Sequence, residues 1–395
     1  MTVAKLKPNI FFVGAKDYDR RLFDELIPLP DGTTYNAYLI IGSNKTALID
    51  SVDGTKYYEL EKNLGKLKVK KIDYLVSNHT EQDHSESIVK LIQRFPEAQI
   101  VTNTKGKEHL MVHLHLPEEK FLVKEEGETL SLGDKTLEFI NVPWVHWPET
   151  MITFAREDKI MFTCDLFGTH LAQSELFVTD EAKTYKSAKR YYAEIMMPFR
   201  KIIVKHIEKL SNYNFDTIAP SHGPVHQNTN FIINAYKDWI SDDVKNEVVI
   251  PYVSMHHSVK EMVEYLSDAL IEKGIQVKPY NLPVTDIGEL AMALVDAATI
   301  VIGAPAVLTG PHPLAVYATY LANALRPKAK FASIISSYGW KCQLKEDLIA
   351  MLTRIKPELL EPVILRGKMT DDGKKLLDKL AESIYQKHKS LGIID

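Results

Sequence analysis

Four side chains able to hold a metal cation fall in one short run, Ser77-Asn78-His79-Thr80-Glu81-Gln82-Asp83-His84. The apolar run 72–76 precedes them, so they stand at the carboxyl end of an expected strand, where open α/β sheets place their ligands. In an extended loop the i, i+2, i+4 spacing would turn His79, Glu81 and Asp83 to one side. A metal there would satisfy carboxylates that are costly to bury bare. Three further candidates follow apolar runs in the same way. His146 lies in Pro143-Trp144-Val145-His146-Trp147-Pro148, Asp165 follows 160–164, and His222 lies in Ala219-Pro220-Ser221-His222-Gly223-Pro224. Zinc hydrolase sites favour nitrogen-rich sets, whereas a mixed carboxylate and imidazole set suits iron better.

The elements that must position these residues read as two domains. Up to about residue 245, short β-branched or apolar runs are bounded by Gly, Asn or Asp: 35–41, 46–52, 72–77, 99–102, 136–142, 151–154 and 159–163. Asp31-Gly32 and Gly133 mark turns, and helices are expected over 85–94 and 187–210. Many short strands feeding helices imply two sheets sandwiched between helices. The polar run 241–246 marks the boundary, giving domains 1–246 and 247–395. The second alternates strand and helix: 247–253, the helical stripe 259–273, the apolar runs 299–304 and 330–335, helix 344–355, strand 362–366 and helix 371–391. Such βα units over ~145 residues fit a doubly wound parallel sheet. The fold class is therefore α/β throughout.

Composition excludes several functions. Net charge is −4, which argues against a general nucleic-acid binder. Cys164 and Cys342 are the two cysteines, so a disulfide framework and a CxxC metal module are both excluded. Residues 1–16 lack the apolar core of a signal peptide, and no run approaches the ~18 apolar residues of a membrane span. A cytoplasmic location is expected.

The order HxExDH, then H, D and H, resembles the metallo-β-lactamase superfamily, whose hydrolases carry a histidine where this chain has Glu81. The HxExD run, the His146-Trp147-Pro148 segment and the Ser221-His222-Gly223 segment, with Gly32-Thr33-Thr34-Tyr35-Asn36-Ala37-Tyr38-Leu39, together resemble the flavodiiron proteins over essentially the whole chain. That resemblance implies a metallo-β-lactamase-like αββα diiron domain followed by a flavodoxin-like FMN domain. It implies one iron on His79, Glu81 and His146, another on Asp83 and His222, and Asp165 between them. His84 is expected as an outer neighbour of the ligands. Trp147 and Tyr191 or Tyr192 are candidate pocket walls. His109, His113, His115, His170 and His226 are expected to be structural or on the surface, and Cys164 buried and inert.

The second domain resembles flavodoxin. Its expected flavin mononucleotide loops are Ser254-Met255-His256-His257-Ser258-Val259, where a helix start can cradle a phosphate, then Pro305, Ala306, Val307, Thr309 and Gly310, then Ser336, Ser337, Tyr338, Gly339 and Trp340. The family more often has Thr at the position of Val259 and of Ala306, and a small residue near His257. Each lost hydroxyl removes a hydrogen bond worth roughly 1 kcal/mol, so weaker flavin binding is expected. The absence of GxGxxG argues against a dinucleotide.

The implied activity is reduction of dioxygen to water, of nitric oxide to nitrous oxide, or both. Dioxygen is the favoured substrate, although Phe23-Asp24-Glu25-Leu26 stands where strongly dioxygen-reducing members often have Phe-His-Gly-Tyr. The donor would be a rubredoxin-like protein or a reduced deazaflavin coenzyme. The assembly would be a head-to-tail homodimer or a dimer of dimers. The rival reading is a zinc-dependent hydrolase of the metallo-β-lactamase superfamily.

Overall fold

A computed structural model describes residues 3–394. The chain forms two compact units, one of Met1–Tyr192 with Phe199–Ile240, the other of Ala193–Pro198 with Ser241–Asp395. The first strand of the second unit, Lys245–Tyr252, starts two residues before the boundary expected from sequence.

The first unit holds two sheets. One has seven strands in the order Ala4–Lys7, Ile10–Phe12, Tyr38–Ile41, Thr46–Ile49, Tyr74–Val76, Gln99–Thr102 and Phe121–Val123. The other has five: Thr129–Ser131, Thr136–Asn141, Met151–Ala155, Ile160–Cys164 and Thr217–Pro220. Alternate residues of the two sheets share one core, in which Phe12, Tyr38, Ile49 and Val76 meet Phe139, Met151, Ile160 and Phe162. The opposite face of the larger sheet carries Leu39, Leu48 and Ile100 against Leu60, Leu64, Leu91 and Leu110 of the covering helices. The period-2 alternation inside each strand thus splits its residues between a sheet–sheet core and a sheet–helix core.

The expected run 35–41 is divided. Thr33–Tyr35 pairs with Ala15–Asp17, whereas Tyr38–Ile41 joins the large sheet. The single helix expected over 187–210 is also divided, into Glu181–Tyr191 and Arg200–Leu210, with irregular turns over Tyr192–Phe199. Pro198 falls in that interruption and cannot donate a helical N–H.

The second unit is a parallel sheet in the order Gln276–Asn281, Lys245–Tyr252, Ala297–Val307 and Phe331–Tyr338, with Val363–Arg366 and the short Glu358–Leu359 pairing to the last of these. Numbered along the chain, that order is 2-1-3-4-5, the flavodoxin-like winding. The strand Gln276–Asn281 was not read from the sequence. It lies at the edge, carries Pro279, and half-exposes its residues. Among the described residues no helix is long and apolar enough to cross a membrane.

Candidate metal centre

The loop after Tyr74–Val76 is fastened before it presents any ligand. Asn78 donates to Asp50 from both its backbone N–H, at 2.8 Å, and its side-chain amide, at 3.0 Å. Its Oδ1 accepts from Thr153 at 2.7 Å. Ser221 Oγ, next to His222, also donates to Asp50, at 3.1 Å. One buried carboxylate at the end of the strand Thr46–Ile49 therefore ties the His79 loop to the His222 loop. The His222 loop also needs Gly223, because a Cβ there would come within 2.5 Å of the Thr169 carbonyl oxygen.

The segment expected as one extended loop is half helical. Glu81 immediately precedes a short helix, Gln82–Ser85, which carries Asp83 and His84. The helical turn swings Asp83 away from Glu81 and brings His84 in beside it. Two groups of carboxylate and imidazole atoms result, His79, Glu81, His146 and Asp165 in one and Asp83, His84 and His222 in the other, and a third set, His84, Cys164 and Asp165, overlaps both.

Asp165 faces both groups. Its Oδ2 lies 3.5 Å from His79 Nε2 and 3.3 Å from His146 Nε2. Its Oδ1 lies 3.0 Å from His84 Nε2 and 3.6 Å from His222 Nε2. Glu81 Oε2 completes the first group at 3.2 Å from His79 and 3.0 Å from His146. Asp83 Oδ2 completes the second at 3.2 Å from His222 and 3.4 Å from His84. Ligands about 2.0–2.2 Å from a common cation stand roughly 3 Å apart, which is the spacing observed. Both oxygens of Asp83, Oδ1 of Asp165 and both ring nitrogens of His84 are buried without a hydrogen-bond partner. Such groups are costly to leave so, and a cation is the partner their chemistry suits. All six residues singled out in the sequence meet here. His84, expected as an outer neighbour, has its Nε2 3.0 Å from Asp165 and 3.4 Å from Asp83.

Outer contacts aim the rings. His79 donates from Nδ1 to Glu149 Oε1 at 2.7 Å, and His222 from Nδ1 to the Thr34 carbonyl at 2.6 Å. Each ring therefore turns its Nε2 into the cluster. Burial opposes charge on His79, but hydrogen bonds to Glu149 and Glu81 and the charge of Asp165 outweigh it and lift its pKa to about 10. Burial opposed by Asp165 and Glu81 does the same for His146, also to about 10. The charges of Asp83 and Asp165 raise His84 to about 9 against its burial. Asp165 itself is held well below the usual range despite burial, chiefly by His84 and His146. A cluster that retains cationic charge this strongly releases protons when a metal ion takes their place.

Glu149, Asp50 and Thr34 were not read from the sequence. Asp50 offered a signal, an acid ending an apolar strand. Glu149 offered none, and Thr34 stood in the run 32–39 with no role of its own. Trp147 meets the His79 ring edge-on at 5.2 Å, and Tyr191 lies 5.9 Å from His222. Tyr192 instead packs on Tyr236 and Trp239 in the core. His170 is buried between Thr33, at 2.9 Å, and Tyr191. Cys164 is buried, and burial and nearby carboxylates push its thiol pKa well up.

In the second unit the three expected loops follow neighbouring parallel strands. Ser254 Oγ accepts from the Lys260 N–H at 3.0 Å, and His256 and His257 take left-handed φ of 53° and 68° before the helix Ser258–Ile271. The Val259 side chain is buried in the core of this unit. Pro305, Ala306 and Val307 still belong to the strand Ala297–Val307, which turns back through Leu308 and Thr309 to pair with Gly310–Pro311. The second loop is thus a hairpin, with left-handed φ of 50° and 80° at its two central residues, positions that favour Asn and Gly. Ser336, Ser337 and Tyr338 end the strand Phe331–Tyr338. Ser337 is engaged with the Gly367 carbonyl at 2.6 Å, while Ser336 Oγ is buried without a partner. Beyond them come Gly339 and Trp340. Met255, Leu308 and Trp340 expose large apolar surface, Leu308 at 89% and Trp340 at 73%. Strained loops with apolar tips at this edge of a doubly wound sheet fit a flat, phosphate-bearing ligand.

The family model described as "ODP family beta lactamase" matches residues 33–223. A nitric oxide reductase of Moorella thermoacetica is 34% identical, covering 89% of this chain and 90% of its own. A coenzyme F420H(2) oxidase of Methanothermobacter marburgensis is 32% identical over 78% of this chain and 79% of its own. The structure of rubredoxin oxygen:oxidoreductase from the anaerobe Desulfovibrio gigas superposes with a TM-score of 0.95, at 29% identity and 99% coverage of both chains. These similarities span both units and include the ligand-bearing segments, so the chain belongs to the flavodiiron protein family and is an oxidoreductase.

Proposed function

We propose that the chain reduces dioxygen to water at a pair of irons supplied with electrons by flavin mononucleotide. One observation carries the reading: the two oxygens of Asp165 face two different sets of ligands, each with two imidazoles and a further carboxylate. We assign His79, Glu81, His146 and Asp165 to one iron. We assign Asp83, His84, His222 and Asp165 to the other. Seven donors of mixed carboxylate and imidazole type suit iron better than a nitrogen-rich zinc site. We assign the flavin to the three strained loops of residues 254–259, 305–310 and 336–340.

When bound, flavin and the two irons supply the electrons for a multi-electron reduction of a small molecule. The chain's own residues do the rest. Glu81, Asp83 and Asp165 offset cationic charge in a buried site. Glu149 and the Thr34 carbonyl fix the tautomers of His79 and His222. Asp50 holds the two ligand loops in register. Trp147 and Tyr191 wall the rings and exclude water.

Reduction of nitric oxide to nitrous oxide is the second reading, favoured by the activity named for the Moorella relative. The names of the relatives also support the donor, a rubredoxin-like protein or a reduced deazaflavin coenzyme. We further propose a cytoplasmic protein, since its two cysteines are free, and a head-to-tail homodimer or dimer of dimers. The test is one purified sample analysed for metal, flavin and mass. Two irons and one flavin per chain are expected, with scattering at twice the chain mass or more and faster consumption of dioxygen than of nitric oxide. Zinc in place of iron, with hydrolytic activity, would return the chain to the hydrolase reading.

A further inference from the structure

Glu149 contacts two imidazoles, and only one of them belongs to the centre described above. Its Oε1 accepts from His79 Nδ1 at 2.7 Å, from the Thr80 N–H at 3.1 Å and from Thr80 Oγ1 at 2.8 Å. Its Oε2 has no hydrogen-bond partner, although the residue is 1% exposed. That oxygen faces His109 Nδ1 at 3.5 Å. His109 Nδ1 also lies 3.3 Å from Thr80 Oγ1, whose own proton goes to Glu149. The inner nitrogen of His109 therefore meets only acceptors and carries the N–H. Its outer nitrogen, Nε2, keeps the lone pair. One ring nitrogen donating to an acceptor that a carboxylate holds in place, here Thr80 Oγ1, while the other is left to ligate is the arrangement of a metal-bound histidine. His79 donates directly to the other oxygen of Glu149.

A second ligand stands one helical turn away. His109 and His113 occupy i and i+4 of the helix Thr104–Leu114, their rings stacked with centroids 5.7 Å apart and planes 29° apart. Two histidines at this spacing on one helix face are the pair by which helical sites hold a divalent cation. His113 is exposed and free to adjust its rotamer, whereas His109 is half-buried and held from behind. The Trp147 indole lies edge-on to both, at 6.2 and 6.0 Å, and also to His79 and His146. It divides the outer pair of imidazoles from the inner pair.

We propose that His109 and His113 form an accessory site for a divalent first-row cation that favours imidazole, with Thr80, itself held by Glu149, orienting His109. Water completes the coordination. The shared carboxylate ties the accessory site to the inner centre without making it part of that centre.

The test titrates zinc chloride at neutral pH into the iron- and flavin-loaded protein, by calorimetry, with zinc and iron counted on the desalted sample. One zinc per chain beyond the iron is expected. His113→Asn and His109→Asn should each weaken that binding at least tenfold with iron content unchanged, and His115→Asn, at the exposed end of the same helix, should leave it as it is. No zinc beyond the iron, or zinc binding untouched in both His109 and His113 variants, overturns the site. Iron is counted on the same sample, so a failure of the diiron reading shows separately as missing iron.

Discussion

The two units prepare their ligand sites in opposite ways. In the first, every candidate ligand is buried or nearly so, and two of the rings, His79 and His222, are aimed by outer hydrogen bonds to Glu149 and Thr34. In the second, the candidate flavin loops leave Met255, Leu308 and Trp340 in solvent and hold His256, His257, Leu308 and Thr309 in left-handed conformations. The first site is built before its ligand arrives. The second is a rim with strained backbone that a flat ligand would cover. A buried site stands or falls by charge and coordination; an exposed rim loses affinity in small steps.

The largest expected effect breaks the first site at its shared member. Asp165→Asn keeps the shape of the side chain and removes the charge that faces both ligand groups. Outer partners of metal ligands command roughly 10–100-fold in affinity or activity, and loss of a shared ligand should exceed that. Iron should fall below two per chain and turnover by more than about a hundredfold, with flavin content unchanged. Metal and flavin analysis beside steady-state turnover checks this. Full iron and full turnover would mean that Asp165 bridges nothing.

A smaller effect is expected on the rim. Trp340→Ala removes an indole that touches little of its own chain. An aromatic stacking contact is worth about 0.5–1.5 kcal/mol, so flavin should bind roughly two- to twelvefold more weakly, with iron content intact. Fluorescence titration of the flavin-free protein with flavin mononucleotide reads this directly. A loss of iron in this variant would erase the contrast between the two sites.

The same contrast explains what the sequence disclosed. His79, Glu81, Asp83, His146, Asp165 and His222 were legible because each follows a strand or apolar run, and strand ends are visible as apolar runs. His84 was set outside the ligands on the strength of the resemblance alone, because spacing does not show which way its ring turns. The turn Gln82–Ser85 rotates the chain by helical steps, and His84 swings inward. Glu149 was invisible as a site residue because a lone acid says nothing until the fold supplies its partner, 70 residues away in sequence; Asp50 ends an apolar strand, but its partner Asn78 lies 28 residues on. In the second unit the doubly wound parallel sheet followed from alternating strand and helix, although its edge strand Gln276–Asn281 did not. The hairpin at Leu308-Thr309 did not, since neither residue type announces a left-handed turn. Deep sites thus leave a trace in strand patterning, whereas rims made by loop conformation leave little.

The smallest expected effect concerns how the second unit itself responds to acid. His388 is fully buried between Thr299 Oγ1 and Asn246 Oδ1, each at 2.8 Å. Asn246 Oδ1 can only accept, so Nδ1 carries the proton and Nε2 accepts from Thr299. Both nitrogens are satisfied in the neutral ring. Burial lowers the pKa of His388 from 6.5 to about 4. A group with a depressed cationic pKa binds fewer protons folded than unfolded. Above pH 6.5 it is neutral in both states and costs nothing. As pH falls from 6.5 toward 4 the unfolded chain takes up a proton that the folded one refuses, and stability declines. His388→Gln can hydrogen-bond to Thr299 and has no such proton to gain. Its melting temperature should therefore change less between pH 6.5 and 4 than that of the parent, by about 2–4 °C for each kcal/mol of the lost dependence. The transition to follow is that of the second unit, reported by flavin release. Parallel curves for the two proteins across that range would show that His388 titrates as freely folded as unfolded, and that its burial places no demand on the sheet it packs against.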